Sequence, residues 1–187
     1  MITDDFLANF KGITEELWRQ TPINPTIYGF QFQPGTCWNP GLGDNEIREY
    51  ENVLGARFPQ DFKAFLKIMN GTDLTTLNIY ANCGEPSRES VGVYSYPKDL
   101  GVVRQRVKAV SAYRQQLTAT LAEQGFVLGP EESLVPIYIH RYVVCTSDLG
   151  SSVVLSIADG DDAIVYGRSL REYLEREFLR DPADHHK

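Results

Sequence analysis

Apolar positions recur along this chain in two kinds of spacing. Phe6, Phe10, Ile13 and Leu17 return every three or four residues, which places them on one face of a first helix. Pro22 and Pro25 end that run. The stretch "TIYGFQF" is β-branched and aromatic and predicts a strand, followed by a Gly/Pro loop, "QPGTCWNPGLG". Asp44 is placed to cap a short helix carrying Ile47, Tyr50 and Leu54, with Gly55 at its end. Pro59 suits the first turn of the next helix, whose apolar face is Phe62, Phe65, Leu66 and Met69 and whose stop is Asn70-Gly71.

Beyond Gly71 the pattern is mixed. "LNIYA" and "VGVYSY" predict short strands around a polar loop. Residues 103–124 predict one long helix with the stripe Val103, Val107, Val110, Tyr113, Leu117 and Leu121. The last third changes period. "LVPIYI", "RYVVCTS", "SSVVLSIA" and "DAIVYG" predict four strands, with a hairpin turn at Asp159 to Asp161. Ser169, with Glu172 three residues on, forms a capping box for a final helix that buries Leu170, Tyr173, Leu174 and Phe178. Residues 181–187 predict a frayed tail. Tight turns between successive strands imply antiparallel pairing. The expectation is an α+β fold: a single domain over 1–187, with a central, mostly antiparallel sheet flanked by helices.

Two stretches carry a resemblance beyond this pattern. One is "NPGLGDNEIREYENVLGARFPQDFKAFLKIMNG"; the other is "LVPIYIHRYVVCTSDLGSSVVLSIADGDDAIVYGRSLREYLEREF". Together, and in this order, they resemble the SUKH superfamily, the fold of cell-wall regulators and bacterial toxin-immunity proteins. The resemblance implies a SUKH-like α+β domain that binds proteins without catalysis. The segment 72–130 between them is read as a family-specific insertion. The family carries no shared catalytic motif, so the resemblance assigns no chemical role to any residue.

Composition narrows the function further. The chain has 187 residues, 42% hydrophobic and 11% aromatic, which suits one folded domain. Net charge is −7, which argues against nucleic acid and anionic membranes and suits a basic partner. Cys37, Cys83 and Cys145 form no CxxC pair, and an odd count speaks for a reducing compartment. No signal peptide or apolar run of about 20 residues is legible. The reading is a cytoplasmic protein with no cofactor and no metal; oligomeric state is left open.

Candidate chemistry centres on "SIADGDDAIVYG". Counted from Asp159, the glycine is second and the twelfth residue is Leu170, so a calcium loop does not fit. A hairpin turn with an acidic, partner-binding surface is the favoured reading, with Asp148, Asp159, Asp161 and Asp162 as its charges. A hydrolase using these acids is the alternative furthest from it. Trp38 and Tyr166, with Tyr94 and Tyr96, are aromatic anchors if exposed. The long helix is locally basic: Arg104 and Lys108 lie opposite the stripe, whereas Arg106 and Arg114 fall within it. Arg106 and Arg114 are therefore either margin residues of a packed helix or contacts for an acidic partner. The most concrete function is an immunity protein neutralising a basic toxin domain; the alternative is a regulatory scaffold binding a host enzyme.

Overall fold

A computed structural model describes residues 2–79, 88–146, 150 and 152–179. In chain order the elements are α1 Asp4–Gln20, β1 Gly29–Phe32, β2 Trp38–Pro40, α2 Asp44–Leu54, α3 Gln60–Ile68, β3 Met69–Thr72, β4 Thr76–Ile79 and β5 Arg88–Ser90. There follow α4 Leu100–Ala112, α5 Arg114–Glu123, β6 Ser133–Tyr138, β7 Arg141–Cys145, β8 Val154–Ile157, β9 Ala163–Gly167 and α6 Leu170–Phe178. All strand pairs are antiparallel, in a meander β6-β7-β8-β9, a small sheet β1-β4-β5 and the pair β2-β3. The expected α+β class is what the chain adopts. Among the described residues no helix is long and apolar enough to cross a membrane.

The meander is buried on both faces. Side chains alternate along a strand, so Val135, Val143 and Tyr166 enter one core while Leu134, Tyr142, Val144, Leu155, Ile157 and Ala163 enter another. The first core holds Leu7, Phe10 and Trp18 of α1, Phe62 and Phe65 of α3, Trp38 of β2 and Leu170, Tyr173, Leu174 and Phe178 of α6. The second is smaller and mostly aliphatic, closed by Val110 of α4 and by Leu117 and Leu121 of α5. The residues read as an insertion thus supply the helices over the second face.

Two elements differ from the sequence reading. In α1 the buried residues are Leu7, Phe10, Thr14 and Trp18, while Ile13 and Leu17 are 46% and 40% exposed. The face is rotated because buried Thr14 has a fixed use: its hydroxyl donates to the Phe10 carbonyl at 3.0 Å and accepts the Trp38 indole N–H at 2.8 Å. The helix expected over 103–124 is two helices, with Tyr113 non-helical between them. The stripe survives the break, with Val103, Val110, Leu117 and Leu121 all buried.

Buried charge stitches the layers together. Glu51 of α2 is 2% exposed; its Oε1 accepts the Phe58 N–H at 2.7 Å and pairs with Lys63 Nζ at 2.9 Å. Asp61 of α3 accepts the Ser152 N–H at 2.9 Å, anchoring the approach to β8. Gly41 passes so close to α3 that an added Cβ would lie 1.9 Å from the Lys67 carbonyl oxygen, so only glycine fits there.

Candidate partner-binding end of the sheet

Two hairpin turns meet at one end of the meander. One joins β6 to β7 through Ile139 and His140; the other, residues 158–162, joins β8 to β9. The Ile157 N–H donates to the His140 carbonyl at 2.8 Å, which sets the turns side by side. The second turn has the predicted form. Asp159 Oδ1 accepts the N–H groups of Asp161 and Asp162, each at 2.9 Å, an Asx-type closure. Asp159, Asp161 and Asp162 are all exposed. Asp148, the fourth acid assigned to this surface, lies outside the described residues.

The neighbours bonded to this turn come from α5 and its C-cap. Gln116 donates its side-chain amide to the Asp161 carboxylate. Thr120 donates its hydroxyl to the Gly160 carbonyl at 2.9 Å, and Gln124 its amide to the Ala163 carbonyl at 2.7 Å. Tyr113, at the helix break, has its hydroxyl pKa raised by burial and by the Asp159 charge, with Arg106 opposing. Sequence reasoning missed this polar row. Its signal is Gln116, Thr120 and Gln124 spaced four apart, on one face of a helix otherwise read for its apolar stripe.

The basic residues within the stripe serve the fold itself. Arg106 is half-buried, within hydrogen-bonding reach of the Tyr94 and Tyr142 hydroxyls, whose pKa values burial raises and the guanidinium pulls back. Arg114 donates to the Gly129 carbonyl at 2.5 Å. Both side chains are half-buried and engaged within the chain, while Arg104 and Lys108 are exposed. Beside Arg106, His140 is half-buried. Desolvation first, then the charges of Arg141 and Arg106, push its pKa down to about 4, so it is neutral near pH 7.

The proposed aromatic anchors are corrected by their burial. Trp38 is 4% exposed and packs edge-on to Phe65 and Phe178, with its indole N–H satisfied by Thr14. Tyr166 is 6% exposed, its ring against the guanidinium groups of Arg141 at 3.9 Å and Arg176 at 4.3 Å. Tyr94 is likewise buried, and half-buried Tyr96 stacks on Tyr50. The apolar bodies of these side chains are spent on the first core.

A cleft of about 390 Å³ opens between α2, α3 and the start of α1, lined by Asp4, Asp44, Arg48, Glu51, Lys63 and Lys67 among others. Four of its charges pair off: Lys63 with Glu51, and Lys67 Nζ with Asp44 at 2.8 Å, which lowers the Asp44 pKa. Among the described residues no group of three or more His, Cys, Asp or Glu is arranged to hold a metal ion.

A two-faced antiparallel meander between helical layers, with an acidic turn at one end, makes this an α+β domain. The SMI1 / KNR4 family (SUKH-1) model matches residues 41–177, and the chain belongs to that family. The family includes immunity proteins and cell-wall regulators. The match runs through the residues read as an insertion and starts after α1, although α1 completes the first core. No curated protein and no solved structure matches the chain.

Proposed function

We propose that this protein is a non-catalytic binding module of the immunity type, acting in the cytoplasm to neutralise a basic toxin domain. The observation that carries the reading is the exposed trio Asp159, Asp161 and Asp162 on one ordered turn of a SUKH-1 domain. A net charge of −7 adds a long-range pull on a basic partner. Charge of this kind acts on association rate more than on dissociation. With the anchor aromatics buried, the contact is led by the acidic turn and the exposed α4–α5 surface beside it.

The test begins with co-expression of the chain and the product of the adjacent gene. A complex that co-purifies supports the reading, and an adjacent product that fails to bind counts against immunity. Association is then measured by stopped flow between about 0.1 M and 1 M salt, over which the Debye length falls from roughly 10 Å to 3 Å. A steep fall in rate is expected. Substituting all three aspartates by Asn keeps the turn acceptors and removes the charge. That variant is expected to associate severalfold more slowly with an unchanged melting temperature. A salt-independent rate, or a triple variant as fast as the parent, removes the acidic turn from the interface.

A further inference from the structure

α5 is held in place by little of its own making. Its ten residues fall short of the roughly 12–15 at which an isolated helix becomes even marginally stable. No side chain caps its start. Arg114 opens it and Glu123 closes it, each of the wrong sign for the helix dipole. The Thr118 hydroxyl donates back to the Arg114 carbonyl at 2.9 Å, a bond that favours helix bending. Non-helical Tyr113 precedes it, and Gly125, at φ 77°, follows in left-handed conformation. Only Leu117 and Leu121 are buried.

Apart from the Arg114 bond to the Gly129 carbonyl, what α5 lacks in itself it draws from one neighbour. Gln116, Thr120 and Gln124, spaced four apart along α5 and its C-cap, bond to Asp161, Gly160 and Ala163, so one row of side chains is fastened to three residues of the β8–β9 hairpin. Asp159 shapes that stretch by accepting the N–H groups of Asp161 and Asp162. Gly160 makes room for the fastening: a Cβ there would lie 2.7 Å from Gln116 Oε1. Beneath the helix lie Leu155, Ile157 and Ala163, apolar side chains of the second core.

We infer that α5 is a latched lid over the second core, with its catch in the acidic turn, opening as a unit between Tyr113 and Gly125 while the rest of the domain stays folded. Local opening of this kind is drawn from segments with few buried apolar contacts. The inference concerns the free protein and stands whatever its partner proves to be.

Native-state hydrogen exchange on the full chain tests it. The Leu117–Gln124 amides are expected to exchange at least tenfold faster than those of Tyr173–Phe178 in α6. Gln116→Ala with Gln124→Ala is expected to speed α5 about tenfold more, two modest hydrogen bonds being lost, with α6 unchanged. Asp161→Ala is expected to act in the same direction, whereas Asp161→Asn, which keeps an acceptor, stays at the parental rate. Gly160→Ala, which displaces the Gln116 side chain without changing the sequence of either helix, repeats the effect should the double variant fold poorly. Equal exchange of α5 and α6 in the parent, or acceleration of both together in the latch variants, overturns the lid.

Discussion

α5 and α6 are of similar length, lie on opposite faces of one meander and both touch β9, yet they are held by different physics. α6 carries its instructions in its own sequence. The Ser169 hydroxyl accepts the Glu172 N–H at 3.1 Å, Glu172 accepts the Arg168 N–H at 2.9 Å, and Arg176 stands in the last turn. It buries four large side chains, and the Phe178 ring lies within 5.6–6.3 Å of Phe10, Trp18, Trp38, Phe32, Tyr138 and Tyr173. α5 buries two leucines and takes most of its remaining side-chain support from the hairpin turn, with Arg114 bonded to the Gly129 carbonyl at its start. One helix is part of the aromatic core, and the other is fastened over an aliphatic one. The face that is fastened borders the acidic turn, so the looser layer and the proposed binding end coincide.

The comparison breaks most sharply at Phe178. Replacing it by Ala removes a ring that touches both layers of the first core, and each well-placed aromatic pair adds about 0.5–1.5 kcal/mol beyond its buried area. Phe178→Ala is expected to lower global stability by about 3–5 kcal/mol in urea titration. Leu117→Ala in α5 leaves a smaller gap beside a helix that can shift, and is expected near 2 kcal/mol, the low end for a buried leucine. Exchange rates separate the two: Phe178→Ala should accelerate amides throughout the domain, and Leu117→Ala chiefly those of α5. If both act globally and equally, the two helices belong to one cooperative unit and the contrast is wrong.

The same contrast governs what could be read from the residues alone. α6 was legible because cap, dipole and apolar face all agree in its sequence. The β8–β9 hairpin was legible because Asp-Gly-Asp-Asp allows little else. Whether Trp38 was exposed enough to be an anchor was not legible, since a tryptophan in a Gly/Pro loop gives no sign that Thr14, far away in sequence, satisfies its indole. The face of α1 was misread for the same reason: a count of apolar spacing cannot see a buried threonine. The polar row on α5 was passed over because its acceptors are backbone carbonyls, which leave no mark in composition. A signal for the second layer was available. "YVVC" and "VVLSI" are nearly continuous apolar runs, the mark of strands covered on both faces. The helices over the second face had to come from elsewhere in the chain.

His140 sharpens the comparison through pH. Its folded pKa of about 4 lies below the ordinary 6.5, so the folded state binds the proton less readily than the unfolded chain. Its neutral form therefore contributes stability above about pH 6.5, and that contribution is lost as pH falls toward about 4. Because the imidazole is only half-buried, solvent screening limits the loss to about 1–2 kcal/mol. His140→Gln is expected to flatten the stability profile over this range. An unchanged slope would place the titrating group elsewhere.

The smallest expected effect is at Asp159, and it separates charge from geometry in the acidic turn. Its carboxylate is exposed, so its charge adds little to folding, but its Oδ1 receives two backbone N–H groups that otherwise face water. Asn offers the same oxygen in the same place. Asp159→Asn is therefore expected to change stability by less than about 0.5 kcal/mol. Asp159→Ala removes the acceptor and is expected to cost about 1 kcal/mol, the usual worth of such bonds where solvent can replace them. The distribution of that loss is more informative than its size. Asp159 shapes the residues to which Gln116, Thr120 and Gln124 are fastened, so the alanine variant should speed hydrogen exchange in α5 and leave α6 at its parental rate. Were Asn and Ala equally harmful, the charge itself would be stabilising the turn. Were α6 to loosen along with α5, the turn would be a strut of the whole sheet and not the catch of one helix.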